Sequence, residues 1–386
     1  MQLSNEEAVA LVRRGVEALQ QGRAAEARRC FERVTQTGRA NVQIWLLHAT
    51  ACRADGDAAA EEEAINQLLL IEPALIRAHI MKADCRSRAG DEQGALKFYE
   101  SAIRVAEGQQ VADDLLPELR RAETTLAESY ARLDAGREAA LTARGFGPGA
   151  RSPRFQQSLD ISAGRKKIFL QEPTSYYFPG LPQIQFFDTA AFDWVPAVEA
   201  ATDAIRAELQ AVLADGADGF RPYLHHNPDR PRPSNKALVD SADWSALFLC
   251  ENGVANDAFV ARCPQTWAAV QAAPMPRIAN SPTVMFSLLA PGARIGAHCG
   301  MFNTRLVCHL PLIVPPKCGF RVGNEVREWQ EGRLLIFDDS IEHEAWNDSD
   351  RDRVVLIFDV WRPELSAQER NEVGALFSGP LAQPAN

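Results

Sequence analysis

The sequence predicts a multidomain α+β protein, in which an all-α repeat region precedes a β-rich domain with flanking helices. Two observations lead to this prediction. The first third of the chain repeats with a helical period, whereas the second half is a series of short β-branched and aromatic runs separated by Gly, Pro, Asn and Asp. The length of 386 residues exceeds that of one usual hydrophobic core, which favours two domains.

The composition is that of an ordinary globular protein, with 46% hydrophobic and 24% charged residues. The net charge is −10 and there is no basic block, so nucleic acid is not expected as a partner. There is no long apolar run and no apolar leader, which predicts no membrane partner and a cytoplasmic location. The eight cysteines form no C-x-x-C pair and are expected to be reduced thiols.

Residues 6–105 contain four columns of similar residues that recur every 34 positions. The columns are Gly22, Gly56 and Gly90; Gly15, Ala49 and Ala83; Phe31, Ile65 and Tyr99; and Val34, Leu68 and Ala102. Small residues let two antiparallel helices approach closely, and a glycine suits the turn between them. The large apolar residue fills the gap to the next helix pair. This period resembles the tetratricopeptide repeat.

The repeat predicts three helix pairs within a solenoid over residues 1–145. The first helices are expected at 7–20, 41–54 and 75–88, the second helices at 24–36, 58–71 and 92–106, and a helical cap over 113–145. The concave face of such a solenoid is expected to bind a peptide or a protein partner. His48 and His79 lie in these helices and are expected to be structural.

The rest of the chain divides into a linker, a β-rich domain and a tail. Residues 146–166 lack periodicity and predict an irregular connection, 167–366 form the β-rich domain, and 367–386 are expected to be a short helix with a frayed end. Strands are predicted at 283–290, 304–314, 318–324, 326–332, 333–339 and 352–361, after an amphipathic helix at 193–215. Closely spaced short strands of this kind favour a jelly roll, also called a double-stranded β-helix.

Three histidines of the β-rich domain are candidates for chemistry. His298 is expected in a turn, His309 within a strand and His343 just after a strand end. On the strand of His309, Arg305 and Val307 share its face because side chains alternate. The spacing alone leaves open whether His298 and His343 bind a metal or are structural.

Arg353 opens the last predicted strand and shares a face with Val355, Ile357 and Asp359. A buried arginine there would need an anion, and a ligand carboxylate suits its planar fork. Imidazoles and an arginine inside one barrel suit a non-haem iron site with an acidic co-substrate. The usual carboxylate ligand lies two residues after the first histidine, where this chain has Gly300.

Three segments resemble the aspartyl/asparaginyl β-hydroxylase family. They are HCGMFNTRLVCHL (298–310), REWQEGRLLIFDDSIEHEAWN (327–347) and RVVLIFDVWRPEL (353–365). Segments 177–201 and 248–274 are also similar, so the resemblance covers most of 170–365. The family often couples this domain to N-terminal tetratricopeptide repeats, in agreement with the period found in the first third.

The resemblance implies a dioxygenase that uses Fe(II), 2-oxoglutarate and O2. It implies two iron-binding histidines without a carboxylate ligand, which agrees with Gly300. By position, His298 and His343 would bind the iron. Arg353 would bind the distal carboxylate of 2-oxoglutarate, with Ser287 and His309 beside it.

The resemblance also implies residues of the substrate pocket, and these include Arg305 and Val307. Val307 stands where the family usually has a basic residue, which makes a strongly acidic substrate side chain less suitable. Trp244 and the loop residues His225 and His226 are further pocket candidates. The expected substrate is a peptide, a protein or a small molecule with an Asp/Asn-like or other amino-acid part, recruited by the repeats.

Two other functions remain open from the sequence. One is a non-catalytic tetratricopeptide adaptor whose hydroxylase barrel is degenerate. The other is a cupin-like metalloenzyme that uses a metal without 2-oxoglutarate.

Overall fold

The computed structural model describes residues 3–107, 110–217, 219–226, 235–278 and 281–378. The chain divides into two compact units, Met1–Gln156 and Gln157–Asn386. The first, called the helical unit, contains helices alone among its described elements, and the second, called the sheet unit, contains two antiparallel sheets with helices. The expected order of a helical region and then a β-rich region is therefore confirmed.

The helical unit consists of helix pairs and a long final helix. The helices are α1 (Asn5–Gln20), α2 (Ala24–Thr35), α3 (Val42–Asp55), α4 (Ala58–Ile71), α5 (Ile76–Arg88), α6 (Glu92–Ala106) and α7 (Leu116–Ala143). The bounds of the first six differ from the predicted ones by at most two residues, so the 34-residue period located each pair. A further helix, α8 (Pro153–Ser162), lies in the segment where the sequence predicted an irregular linker.

Side-chain caps begin these helices at recurring positions. Ser4 forms a reciprocal capping box with Glu7 at the start of α1. Asn41, Asp57 and Asp91 accept hydrogen bonds from backbone N–H groups at the starts of α3, α4 and α6. Local sequence therefore sets where these helices start.

The repeated small residues have the roles that their spacing predicts. Gly22, Gly56 and Gly90 connect the helices of each pair with φ of 73°, 78° and 79°, which a side chain would strain. A Cβ added at Gly15 would lie 2.8 Å from the ring of Phe31. The close approach of α1 and α2 therefore requires a residue without a side chain at position 15.

The sheet unit contains twelve strands within the described residues. They are β1 (Phe186–Phe187), β2 (Arg221–Pro222), β3 (Trp244–Glu251), β4 (Val254–Ala255), β5 (Val284–Leu289), β6 (Arg294–His298), β7 (Arg305–Ile313), β8 (Cys318–Val322), β9 (Glu325–Arg327), β10 (Leu335–Phe337), β11 (His343–Asn347) and β12 (Arg353–Trp361). The larger sheet has the order β1-β10-β7-β12-β5-β3-β2, with β4 paired to β3, and the smaller has the order β6-β11-β8-β9. Every pairing between these strands is antiparallel.

Helices cover one side of the larger sheet. They are α9 (Val195–Ala200), α10 (Thr202–Ala214), α11 (Asp257–Arg262) and α12 (Pro264–Val270), and α13 (Ala367–Ser378) follows the last strand. The helix predicted at 193–215 is thus divided between α9 and α10. The predicted tail helix is present as α13, and the predicted frayed end from residue 379 onward lies outside the described residues.

Successive side chains of β7 and β12 point to opposite faces of the larger sheet, and each face belongs to a different hydrophobic cluster. Leu306 and Leu356 pack in the cluster that contains α9 and α10. On the opposite face, Val355 packs with Phe320 and Ala345 of the smaller sheet. The inner faces of the two sheets therefore meet, and a side chain on the inner face of either sheet can reach their shared interior.

Several strand boundaries differ from the predicted ones for identifiable reasons. The strand expected at 326–332 ends at Arg327, and the one expected at 333–339 is limited to Leu335–Phe337. β3 was not predicted because WSALFLCE is buried on both faces and shows no polar alternation. β6 and β11 are short and polar, and they are strands because they pair with each other. Within the described residues, no helix is long and apolar enough to cross a membrane.

Candidate active site

His298 and His343 face each other across two neighbouring strands. His298 ends β6, His343 begins β11, and the two residues are register partners in the smaller sheet. Their ring centroids are 4.2 Å apart. The expected turn at His298 is therefore wrong, because the pairing extends β6 to that residue. His343 does follow a strand, β10, but it also begins β11, which the sequence did not predict.

Backbone carbonyls orient both imidazole rings. Nδ1 of His298 lies 2.9 Å from the carbonyl oxygen of Gly296, and Nδ1 of His343 lies 3.1 Å from that of Ile341. A carbonyl only accepts, so Nδ1 is the donor and Nε2 keeps its lone pair. Burial lowers the pKa of His298, and burial together with His298 lowers the pKa of His343 to about 3. Both rings are therefore neutral, which is the form that binds a metal.

The space beside Gly300, two residues after His298, is occupied by the side chain of Asp339. A Cβ at Gly300 would clash with the carboxylate of Asp339. Burial raises the pKa of Asp339 to about 7, although Arg305 opposes that rise. In residues 3–378, apart from the undescribed gaps, no three His, Cys, Asp or Glu side chains are grouped to hold a metal.

The histidine pair opens onto a cavity of about 380 Å³ between the two sheets. Eight of the ten predicted site residues line it: His298, His343, Arg353, Ser287, His309, Arg305, Val307 and Trp244. Arg305, Val307 and His309 all face the cavity, as the alternation along their strand predicts. The remaining lining is largely apolar, and Met285, Ile295, Met301 and Ile357 belong to it.

Arg353 is buried in this cavity without a carboxylate partner among the described residues. The residue is 1% exposed, and its guanidinium lies 4.7 Å from the ring centroid of Trp329. Its Nε has no hydrogen-bond partner, and burial lowers the pKa of the guanidinium to about 10. Because an unpaired buried charge is unfavourable, this arginine leaves a place for an anionic ligand group.

Ser287 on β5 and His309 on β7 provide polar atoms on the two strands that flank β12 in the larger sheet. The indole nitrogen of Trp244 donates to Oγ of Ser287 at 3.2 Å, and Trp244 stacks on Tyr223 with centroids 4.2 Å apart. Burial lowers the pKa of His309 well below its ordinary value, and the nearby Arg353 adds to this effect. Nδ1 of His309 is buried and has no protein partner in the described part of the chain.

The second cavity arginine, Arg305, is paired with an acid. Its Nη1 lies 3.1 Å from Oδ2 of Asp359, and both side chains are mostly buried. Oδ1 of Asp359 accepts from the backbone N–H of Thr283 at 2.6 Å. Asp359 is also the register partner of Val307. The charge of Arg305 is therefore compensated within the protein, and Val307 adds none.

The segment that contains this site resembles known proteins. The family model described as aspartyl/asparaginyl beta-hydroxylase matches residues 199–363. The ornithine lipid ester-linked acyl 2-hydroxylase of Rhizobium tropici is 41% identical over 180 residues, covering 46% of this chain and 60% of that protein. The human aspartyl/asparaginyl beta-hydroxylase is 29% identical over 308 residues, covering 74% of this chain and 38% of that protein. The resemblance to the aspartyl/asparaginyl β-hydroxylase family is confirmed.

The match covers less than two thirds of the length of either relative, and both are named as hydroxylases. Among solved structures, PcrH from Pseudomonas aeruginosa aligns with a TM-score of 0.30 and 20% identity, covering 33% of this chain and 93% of that one. The repeat assignment made above depends on the helix pairs themselves and not on this likeness.

Two of the predicted site residues lie away from the cavity. His225 and His226 are exposed and do not line it, whereas the preceding Tyr223 and Leu224 do. Asp240 accounts for this placement, because it accepts from the backbone N–H of His226 and lies 3.7 Å from Nδ1 of His225. The proposed pocket role of the two histidines is therefore corrected. Residues 227–234 of the same predicted loop lie outside the described part of the chain.

A buried polar network lies beside the candidate site. Arg362 and Asp338 are fully buried and joined at 2.5 Å, and Gln171 also donates to Asp338 at 2.7 Å. Asn303 donates to Gln171 at 3.0 Å. The network links the segment before His343 to the segment after His298. Sequence reasoning missed Gln171 and Arg362 in this role, because no local pattern indicates that Asp338 has partners 167 and 24 residues away.

Proposed function

We propose that this chain is an Fe(II)- and 2-oxoglutarate-dependent dioxygenase that hydroxylates an unactivated carbon. The main support is one cavity that joins two oriented, neutral histidines to a buried arginine without a carboxylate partner in the described chain. The central strands of the two sheets, β10-β7-β12-β5 and β6-β11-β8-β9, have the order expected of a double-stranded β-helix, which supports that fold for the domain proposed over 167–366.

The histidine pair suits an iron ion. His298 and His343 would bind it through Nε2, since Nδ1 of each ring is already held by a carbonyl. Gly300 provides no carboxylate, and Asp339 occupies the space beside it. The iron would therefore keep open positions for O2 and for a chelating co-substrate.

The far end of the cavity suits the co-substrate. Arg353 would bind the distal carboxylate of 2-oxoglutarate in a two-pronged manner, with Oγ of Ser287 and the free nitrogen of His309 beside it. Iron(II) together with 2-oxoglutarate supplies an oxidant strong enough to insert one oxygen atom of O2 into a C–H bond, while 2-oxoglutarate becomes succinate and CO2. The apolar wall keeps water away from the reacting carbon.

The charges of the cavity indicate an uncharged reacting group. Arg353 is assigned to the co-substrate, and Asp359 already compensates Arg305. Val307 and Ile357 add apolar wall. An Asn-like side chain or an acyl segment of an amino-acid-containing substrate therefore suits the cavity better than a carboxylate. The acyl alternative is favoured by that wall, and the Rhizobium tropici relative is named as an acyl 2-hydroxylase.

The decisive experiment measures succinate formation from 2-oxoglutarate with Fe(II), O2 and ascorbate. Arg353→Met should weaken 2-oxoglutarate binding by at least about 30-fold, as expected for loss of a buried charge pair, and leave Fe(II) binding intact. Arg351→Met is the matched control, because Arg351 is exposed two residues away. Anaerobic calorimetry measures both binding steps.

The proposed binding of iron by the histidine pair is tested with two variants. His298→Ala and His343→Ala should each abolish Fe(II) binding, whereas His225→Ala, at an exposed histidine outside the cavity, should not. A folded protein that neither binds Fe(II) nor forms succinate would support the adaptor alternative. Retained metal binding and turnover without any need for 2-oxoglutarate would support the cupin-like alternative.

Substrate charge is tested with pairs of compounds that differ in one group. A peptide with Asn at the reacting position should stimulate succinate formation more than the same peptide with Asp, and an N-acyl amino acid tests the acyl alternative. Stimulation by the Asp peptide alone would contradict the proposed neutral pocket.

A further inference from the structure

A second cavity of about 660 Å³ lies in the helical unit among α3, α5, α6 and α7. We call it the arginine groove, because Arg53, Arg77, Arg88 and Arg121 line it. α3 and α5 are the first helices of the second and third pairs. Stacked helix pairs commonly form their binding surface from such a repeated face.

Two of the four arginines are held by acids at the edges of the groove. Arg77 pairs with Asp114 at 2.8 Å, and Arg88 donates to the buried Glu61 at 2.6 Å. Glu61 does not line the groove. The charges of these two arginines are therefore compensated by acids that lie outside the lining.

The other two arginines, Arg53 and Arg121, share one carboxylate at the base of the groove. Asp84 accepts from Arg121 through both oxygens at 2.9 and 3.0 Å and from the hydroxyl of Tyr99 at 2.5 Å. Arg53 is 3.6 Å from the same carboxylate. Their side chains are 51% and 47% exposed, so each guanidinium keeps donors for a ligand.

The lining of the groove contains more positive than negative groups, unlike the chain as a whole, which has a net charge of −10. Four arginines and two carboxylates, Asp84 and Glu118, line it, while Asp114 and Glu61 compensate Arg77 and Arg88 from outside the lining. Leu46 and Met81 add apolar surface between the charges. A ligand that fits this lining carries carboxylates next to apolar groups.

We propose that the arginine groove binds an acidic peptide segment of a partner protein, whose carboxylates pair with Arg53 and Arg121. A peptide suits the groove better than a nucleic acid, because a peptide can place apolar side chains on Leu46 and Met81 between its carboxylates. This inference is independent of the hydroxylase chemistry and gives the helical unit a specificity of its own.

The test begins with a random peptide library of about twelve residues displayed on phage and selected on the full chain. Selected peptides should be enriched in Asp and Glu, with apolar residues between them. Fluorescence anisotropy then measures the best peptide with the unaltered chain and with Arg53→Gln/Arg121→Gln, which should weaken binding by on the order of 100-fold. Raising the salt concentration should also weaken binding.

Arg29→Gln is the matched control, since Arg29 is exposed on α2 and lies outside the groove, and it should leave binding unchanged. Arg53→Gln alone guards against misfolding, because its one ion pair in the described chain is long. The proposal is overturned by a selection without acidic enrichment, by selected peptides that bind the double variant equally well, or by a single-stranded oligonucleotide that binds through the same arginines more tightly than the peptide.

Discussion

The cavity of the candidate active site and the arginine groove place arginine in opposite settings. In the sheet unit, Arg353 is almost fully buried and has no carboxylate partner in the described residues. In the arginine groove, Arg53 and Arg121 are about half exposed and share Asp84. A buried guanidinium can be satisfied by few ligands, whereas an exposed one remains solvated without any. Burial therefore sets how strictly an arginine requires a particular anion.

Arg362 provides the internal control for this comparison. It is as deeply buried as Arg353, but Asp338 compensates its charge at 2.5 Å. Arg353 and Arg362, the two arginines buried most deeply among the described residues of the sheet unit, thus differ mainly in whether the protein itself supplies the anion.

The largest expected effect is a difference in the free energy of unfolding when each of these two arginines is replaced by methionine. Arg362→Met should lower the free energy of unfolding by about 3–5 kcal/mol, because it leaves Asp338 buried and unpaired. Arg353→Met should leave the free energy of unfolding unchanged or raise it, because it removes an unpaired charge. Urea unfolding followed by tryptophan fluorescence measures both, since Trp45 is the one tryptophan of the helical unit and the other six lie in the sheet unit.

Equal destabilisation by the two variants would break the comparison, since it would mean that Arg353 also has an internal partner. Added 2-oxoglutarate with Fe(II) should stabilise the unaltered chain and not Arg353→Met, which checks that the variant lost the ligand and not the fold.

A smaller effect is expected at Gly300, where the site depends on a missing side chain. Gly300→Ala should destabilise the sheet unit by about 1–3 kcal/mol, because the methyl group clashes with the carboxylate of Asp339. Asp339→Ala removes the obstacle, so the double variant should be more stable than the sum of the single effects predicts. Strictly additive effects in the urea measurement would show that the two positions do not compete for space.

The smallest effect concerns His48 in the helical unit. Both ring nitrogens of His48 are buried without partners in the described chain, and burial lowers its pKa. His48 therefore binds a proton more readily in the unfolded chain than in the folded one. The free energy of unfolding is thus highest above about pH 6.5, and it decreases as the pH falls below that value. His48→Leu should remove this pH dependence and add about 1 kcal/mol of stability. Urea unfolding followed by far-UV circular dichroism, repeated at several pH values below about 6.5, measures this free energy. If its dependence on pH were the same in His48→Leu as in the unaltered chain, the role given to His48 would be contradicted.

The helical unit could be predicted almost completely because its signals are local. The period of 34 residues, the caps at Asn41, Asp57 and Asp91, and the turn glycines all act within one helix pair. Each helix is therefore located by residues close to it in the chain.

The sheet unit could be predicted only where one strand face differs from the other. Alternation placed Arg305, Val307 and His309 together, and the cavity contains all three. β3 escaped prediction because both of its faces are buried, and β6 escaped because its strand conformation comes from β11. Pairing between strands that are distant in the chain cannot be predicted from a short segment of sequence.

The sequence by itself determined the helix pairs, the family resemblance and the residues His298, His343 and Arg353. The tertiary structure decided which charges remain available, since Asp359 compensates Arg305, Asp338 compensates Arg362, and no described carboxylate compensates Arg353. It also decided that Asp339 fills the space beside Gly300. The physical reason is that residue type and period are local properties, whereas burial and charge compensation depend on neighbours that only the folded chain brings together.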